Sequence, residues 1–149
     1  MQVSIRVFSL LLIISIVLGA CTSSKPLSEP SEPLKSFSFA QVDSLRSLEP
    51  RPLAIFLHAE WCKFCKNMEY TTLRNEKVVA LLNEKFYFVP FDGEYKKEIE
   101  FKGNTFAFQP NGRRSGTHEL ASALGTIDGE MIYPTLVILN PADEIVFQY

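Results

Sequence analysis

Hydrophobic and polar positions divide this chain into three stretches of different character. Residues 7–18 form an almost unbroken apolar run preceded by Arg6. The run is too short for a comfortable transmembrane helix and fits the core of a signal peptide. Residues 22–36 are dominated by serine, proline and glutamate and offer almost nothing to bury. That composition predicts a disordered tether, extended by its prolines. At roughly 3 Å per residue it would hold whatever follows on the order of 45 Å from its anchor. From residue 37 onward apolar residues recur with regular periods, so folded structure is expected over 37–149.

Phe39, Val42, Leu45 and Leu48 recur every three residues and predict an amphipathic helix, ended by Pro50 and Pro52. Residues 53–57 are a short apolar run bounded by turn signals, the pattern of a buried strand. A helical pattern then starts near Cys62 and runs through Met68. Asn75 fits the N-cap of another helix, whose apolar face would hold Val78, Val79, Leu81, Leu82 and Phe86. Residues 87–91 read as a strand, and Pro90 within it favours a sheet edge or a strand end. The pattern weakens over an insert at about 94–124. Residues 94–100 are charged and read as helical. Residues 103–116 mix turn formers with aromatics and the pair Arg113–Arg114, and Thr117 is placed to cap a short helix over 118–124 stopped by Gly125. Residues 134–139 predict a buried strand, 140–143 a turn and 144–149 a last strand. The order of elements is β-α-β followed by a β-hairpin, with no internal repeat.

Composition narrows this picture. With 149 residues, 46% of them hydrophobic, the chain fits one compact domain plus something shorter, and twelve phenylalanines can fill its core. A net charge of −2 and a pI near 5.7 leave no basic footprint for nucleic acid.

The chemistry centres on Trp61-Cys62-Lys63-Phe64-Cys65. A thiol at a helix N-terminus meets the positive end of the helix dipole and unpaired backbone N–H groups, both of which favour the reactive thiolate. The i, i+3 spacing brings the second sulfur within bonding reach of the first, so the pair can alternate between dithiol and disulfide. The charge of Lys63 favours the thiolate further. The chain has three cysteines. A bridge closing so small a loop would stabilise the fold little, and a disulfide-stapled domain normally carries more of them. His58 and His118 open a second reading, in which the cysteines and histidines hold zinc or copper.

Leu18-Gly19-Ala20-Cys21 resembles the lipobox of bacterial lipoproteins. The resemblance implies a signal peptide over 1–20, lipid on Cys21, a tether over 21–36, and a place in the bacterial envelope facing the periplasm or the exterior. Cys62 and Cys65 would then pair only with each other or with a partner protein. Ala59-Glu60-Trp61-Cys62-Lys63-Phe64-Cys65-Lys66 after a strand, with Tyr133-Pro134-Thr135 opening a later one, resembles the thioredoxin superfamily. Cys65-Lys66-Asn67-Met68-Glu69 and the Thr71-Thr72-Leu73 that follows resemble the periplasmic thioredoxin-like domain of transmembrane thiol-disulfide electron carriers, and related lipoproteins.

The resemblance implies an α/β thioredoxin-like fold with a central mixed sheet flanked by helices. It also implies a cofactor-free oxidoreductase that reduces protein disulfides and is reset by a thiol donor such as a transmembrane carrier. Cys62 would be the attacking, exposed sulfur and Cys65 the resolving one. Trp61, Lys63, Phe64 and Tyr133 would meet the substrate, and Pro134 would be cis. Two departures stand out. Thioredoxin has a buried aspartate six residues before its first cysteine, where this chain has Phe56, so Glu69 is the candidate proton acceptor. A closing helix is also lacking after residue 149, which suggests a truncated chain. Two other classes share these residues: a copper metallochaperone, and a redox-inactive binding lipoprotein.

Overall fold

A computed structural model describes residues 32–149. The expected signal peptide, the lipidated Cys21 and most of the tether therefore lie outside the described residues. Helix α1 (Phe39–Leu48) starts at a capping box: the Ser38 hydroxyl accepts from the Gln41 N–H, and the Gln41 side chain accepts from the Ser38 N–H at 2.8 Å. Strand β1 spans Leu53–His58 and helix α2 spans Lys63–Tyr70. A 3-10 turn (Thr72–Arg74) and helix α3 (Glu76–Lys85) follow, with the Asn75 side chain capping α3 through the N–H groups of Lys77 and Val78. Strand β2 is Tyr87–Asp92. Two hairpins come next, β3 (Ile99–Phe101) with β4 (Asn104–Phe106) and β5 (Phe108–Pro110) with β6 (Gly116–His118). Helix α4 (Glu119–Gly125), the short pair β7 (Thr126–Ile127) and β8 (Glu130–Met131), then β9 (Thr135–Leu139) and β10 (Ile145–Gln148) complete the chain.

The central sheet runs β10-β9-β1-β2. β1 pairs parallel with β2 and antiparallel with β9, and β9 pairs antiparallel with β10. β1 is a continuous apolar run because both its faces are covered. Leu53, Ile55 and Leu57 pack with Tyr87, Val89, Phe91, Val137 and Leu139 against α1 and α4. Ala54 and Phe56 point to the other face, where they meet Phe88, Leu82, Cys62 and Cys65. Pro90 lies on β2, at the edge of the sheet, as its missing N–H requires. Among the described residues no helix is long and apolar enough to cross a membrane.

Five expectations change. Order begins before residue 37: Leu34 packs on the second face, Lys35 N–H donates to Asn83 Oδ1 at 2.8 Å, and Ser36 bridges Phe88. The polar composition hid these contacts because they are made by backbone and one leucine. Leu48 is 84% exposed. Steps of three drift around a helix of about 3.6 residues per turn, so Leu48 lies about half a turn from Phe39, while Arg46 takes the buried place. Leu81 is exposed too, because adjacent helix positions differ by about 100° and Val79 and Leu82 define the face that α3 buries. Residues 94–100 form no helix. They have no apolar stripe, and Ile99 and Phe101 instead alternate into a hairpin whose turn, Lys102–Gly103, has positive φ at both positions. Finally, α4 is capped by His118 rather than Thr117: Nδ1 of His118 accepts from the Leu120 N–H at 3.2 Å, and Thr117 is in β6.

One ion cluster ties three segments together. The buried Arg46 of α1 binds the Asp143 carboxylate in the β9–β10 turn and donates to the Asn140 carbonyl at 2.8 Å. Lys102 of the β3–β4 turn reaches the other Asp143 oxygen at 2.6 Å. Against a desolvation that would raise it, Lys102 and Arg46 hold the Asp143 carboxyl below the usual carboxylate range. A lowered folded-state pKa contributes stability above the unfolded value of about 3.9, and this is lost as pH falls through the folded value. Asp143→Ala, which strands a buried guanidinium, should cost about 3 kcal/mol in urea unfolding at neutral pH. The difference from wild type should shrink in acid, and equal stability at neutral pH would show the cluster to be idle.

Candidate active site

β1 delivers the chain to the site and α2 begins it. After His58 the backbone turns at the buried Ala59, and the Cys62 N–H donates to the Ala59 carbonyl at 3.0 Å. Cys62 is the N-cap of α2, in extended conformation, and its sulfur accepts from the Cys65 N–H at 3.0 Å. Cys62 and Cys65 are joined as a disulfide with their Cα atoms 5.3 Å apart. The first turn of the helix thus aims a backbone donor and its positive dipole end at one sulfur.

Cys62 is only 3% exposed and Cys65 1%. This corrects the expectation of an openly exposed Cys62. Its capping role turns the side chain back over the first helical turn, into the apolar cluster of Ala59, Phe56 and Phe88. What projects instead is Phe64, 77% exposed, with Trp61 at 64%. Lys63 is exposed at the helix start.

Tyr133 and Pro134 come from the loop before β9, and the peptide between them is cis. Tyr133 packs against the cysteine cluster and meets the Trp61 ring edge-on, centroids 5.9 Å apart. The indole N–H of Trp61 donates to Glu94 Oε1 at 3.0 Å. The Glu94 N–H donates in turn to Asp92 Oδ1 at 2.9 Å. Burial, with the Glu94 and Asp92 charges adding to it, pushes the Tyr133 hydroxyl up to about 12. The phenol is therefore protonated throughout the neutral range. Gly93 separates the two acids, and a Cβ there would run into the end of the Tyr133 ring and its hydroxyl. The structure thus brings Trp61, Cys62, Cys65, Tyr133 and Pro134 together and adds Asp92, Gly93 and Glu94. Sequence reading missed these last three. Their one signal was a glycine between acids at the end of a predicted strand.

Glu69 lies one helical turn beyond Cys65, half-buried, in a cleft of about 520 Å³ that it lines with Phe56, Leu73, Arg74, Phe88 and Pro90. It makes no hydrogen bond or ion pair with the described residues. The histidines are placed elsewhere. His58 stacks on Phe56, and the fully buried His118 uses Nδ1 for its cap and Nε2 on the Lys97 carbonyl at 3.1 Å. Among the described residues no group of three or more His, Cys, Asp and Glu side chains is placed to hold a metal ion. Arg113 is exposed, and Arg114 lines a second cleft of about 340 Å³ with Glu60, Asp92, Glu94, Tyr95, Lys96 and Lys97. The start of the insert therefore rims the site.

Comparisons with known proteins agree with this geometry. A family described as thioredoxin-like matches residues 48–141. No curated protein sequence matches the chain. Among solved structures, one named DsbH oxidoreductase superposes with a TM-score of 0.55 at 14% identity, covering 87% of this chain and 79% of that one. A thioredoxin from Thermus thermophilus superposes with a TM-score of 0.54 at 20% identity, covering 79% and 75%. At such identities the likeness is one of fold.

The close approach at Gly93 is testable. Gly93→Ala should displace the Tyr133 ring, cost about 1–3 kcal/mol of stability, and shift the emission of Trp61, the single tryptophan. Unchanged stability and emission would show that the ring yields freely.

Proposed function

Because this chain belongs to the thioredoxin-like family, we propose that it is a thiol-disulfide oxidoreductase working through Cys62 and Cys65. The observation that carries this reading is the Cys62 sulfur at the α2 N-cap, accepting a backbone N–H and lying within bonding distance of Cys65. A fully paired structural disulfide would not need a helix start aimed at one of its sulfurs. The fold shared with the structure named DsbH oxidoreductase supports the same class of chemistry.

In the reducing direction the Cys62 thiolate attacks one sulfur of a substrate disulfide. A bond forms between Cys62 and that sulfur, and the other substrate sulfur leaves as a thiolate and takes up a proton. Cys65, once deprotonated, attacks the Cys62 sulfur and expels the second substrate thiolate. Two electrons pass to the substrate, and the Cys62–Cys65 disulfide remains for a thiol donor to reduce. Lys63 beside Cys62 favours the thiolate. Glu69, half-buried one turn from Cys65 in the cleft that also holds Phe56, is the group to take the Cys65 proton. The exposed Phe64 and Trp61, with Tyr133 and Pro134, form the apolar rim on which a substrate strand docks. The partners are disulfide-bearing proteins and a thiol donor, for which a transmembrane carrier is our first candidate. The setting is the bacterial envelope, with Cys21 as a lipid anchor. That part rests on the lipobox-like residues 18–21.

The full chain with a thiol donor should reduce insulin, and Cys62→Ser should bring the rate to background. Cys65→Ser should accumulate mixed disulfides that a reductant releases. Their absence from cells with an intact envelope would overturn the reading. Glu69→Gln should lengthen the life of the mixed disulfide about a hundredfold, the lower end of the range for losing a proton-transfer group. An unchanged lifetime would remove Glu69 from the mechanism while leaving the cysteines in place.

A further inference from the structure

A cleft of about 510 Å³ opens between the first turn of α1, the outer edge of β2 and residues 95–100 of the insert, and neither Cys62 nor Cys65 lines it. Its floor is apolar, made by the buried side chains of Phe39, Val89 and Phe91. Its wall carries the carboxylates of Asp92, Glu98 and Glu100, and among the described residues no lysine or arginine lines it. Glu98 and Glu100 are exposed and make no hydrogen bond or ion pair with the described residues. Asp92 has one oxygen engaged, by the Glu94 N–H. The half-exposed Tyr95 adds an aromatic ring. Acids with no balancing base leave a negative potential over an apolar floor. The volume falls within the range of roughly 300–1,000 Å³ that holds discrete small ligands. A polypeptide strand fits the place poorly. Pro90 has no N–H to offer along the outer edge of β2. The carbonyls on either side of it on that edge are already taken, Phe88 by the Phe37 N–H at 2.9 Å and Asp92 by the Tyr95 N–H at 3.0 Å.

We propose that this cleft is a binding site for a small organic monocation, an amidinium, guanidinium or protonated amine carried on an apolar body. The body displaces water from Phe39, Val89 and Phe91, which contributes roughly 25 cal/mol for each Å² covered. The charge meets Glu98 and Glu100 at the mouth, where the Tyr95 ring offers its face to a cation. An anion of the same shape is repelled by the same carboxylates, and a neutral one gains the floor alone. The site is separate from the cysteine pair, so its ligand is neither the disulfide substrate nor the thiol donor.

The test is calorimetric titration of the full chain with benzamidine, a flat apolar ring bearing one positive charge, and with benzamide, its neutral isostere. Benzamidine should bind saturably at one site, and benzamide about tenfold or more weakly. The double variant Glu98→Gln with Glu100→Gln should weaken benzamidine about tenfold and bring it level with benzamide. Ala40→Trp, at an exposed position of the same cleft, should fill the space and abolish binding of both. Equal affinity of the two probes in wild type, or benzamidine binding that Ala40→Trp leaves unchanged, would overturn the site. The carboxylates could instead serve only the positive start of α1. The double variant would then unfold more easily while binding benzamidine as wild type does, and that result would also overturn it. A Gly-Arg-Gly peptide should bind about tenfold more weakly than benzamidine. Equal binding would give the cleft to a polypeptide partner and reject the small-molecule assignment.

Discussion

The backbone N–H of Cys65 pointing at the sulfur of Cys62 is the contact on which the rest of this structure bears. It is made because Cys62 caps α2 rather than joining it, and it places the sulfur where the unpaired donors of a helix start converge. A serine or aspartate would cap the same helix as well or better. A thiol in that place gains a stabilised anion, and a second thiol one turn on gives that anion a partner. The energetics of capping and the reactivity of the site are thus one interaction seen from two sides.

The remainder of the fold serves to hold that contact and to present it. β1, buried on both faces and paired on both edges, fixes where the turn to α2 begins. β9 returns antiparallel beside it, so the Tyr133–Pro134 peptide at its start arrives next to the cysteines. β2, parallel on the other side, ends at Asp92 and delivers Gly93 and Glu94 to the same end of the sheet. The ends of β1 and β2 and the start of β9, distant in sequence, therefore meet at one place. The Arg46–Asp143–Lys102 cluster fixes the turn between β9 and β10 from below. The two faces of the sheet carry different tasks: one packs α1 and α4, and the other packs the cysteines themselves.

Much of this was legible in the residues. The apolar runs gave the strands, Asn75 gave the α3 cap, and the cysteine spacing after a strand gave the centre of the site. Pro90 announced a sheet edge. What escaped was whatever depended on contacts between distant segments. The burial of Cys62 follows from packing against Phe56 and Phe88, which no local pattern encodes. The hairpin at 99–106 was hidden because charge was read as helix where the decisive feature was a two-residue turn. His118 caps a helix with a ring nitrogen, outside the usual set of capping residues. Glu94 and Tyr133 are 39 positions apart in sequence and share a site only through the sheet. The burial of Arg46 had no local signal, because its acid partner lies 97 residues away.

The central claim is that the helix start keeps the Cys62 sulfur ionised near neutral pH once the disulfide is opened. The most direct measurement is the pH dependence of Cys62 alkylation by iodoacetamide in the reduced chain, with Cys65 replaced by serine as a control. The account predicts an apparent pKa below the value of about 8.5 for a free cysteine, and alkylation faster than that of a free thiol at pH below that value. An apparent pKa at or above about 8.5 would contradict it, because the donors aimed at the sulfur would then be doing nothing for its charge.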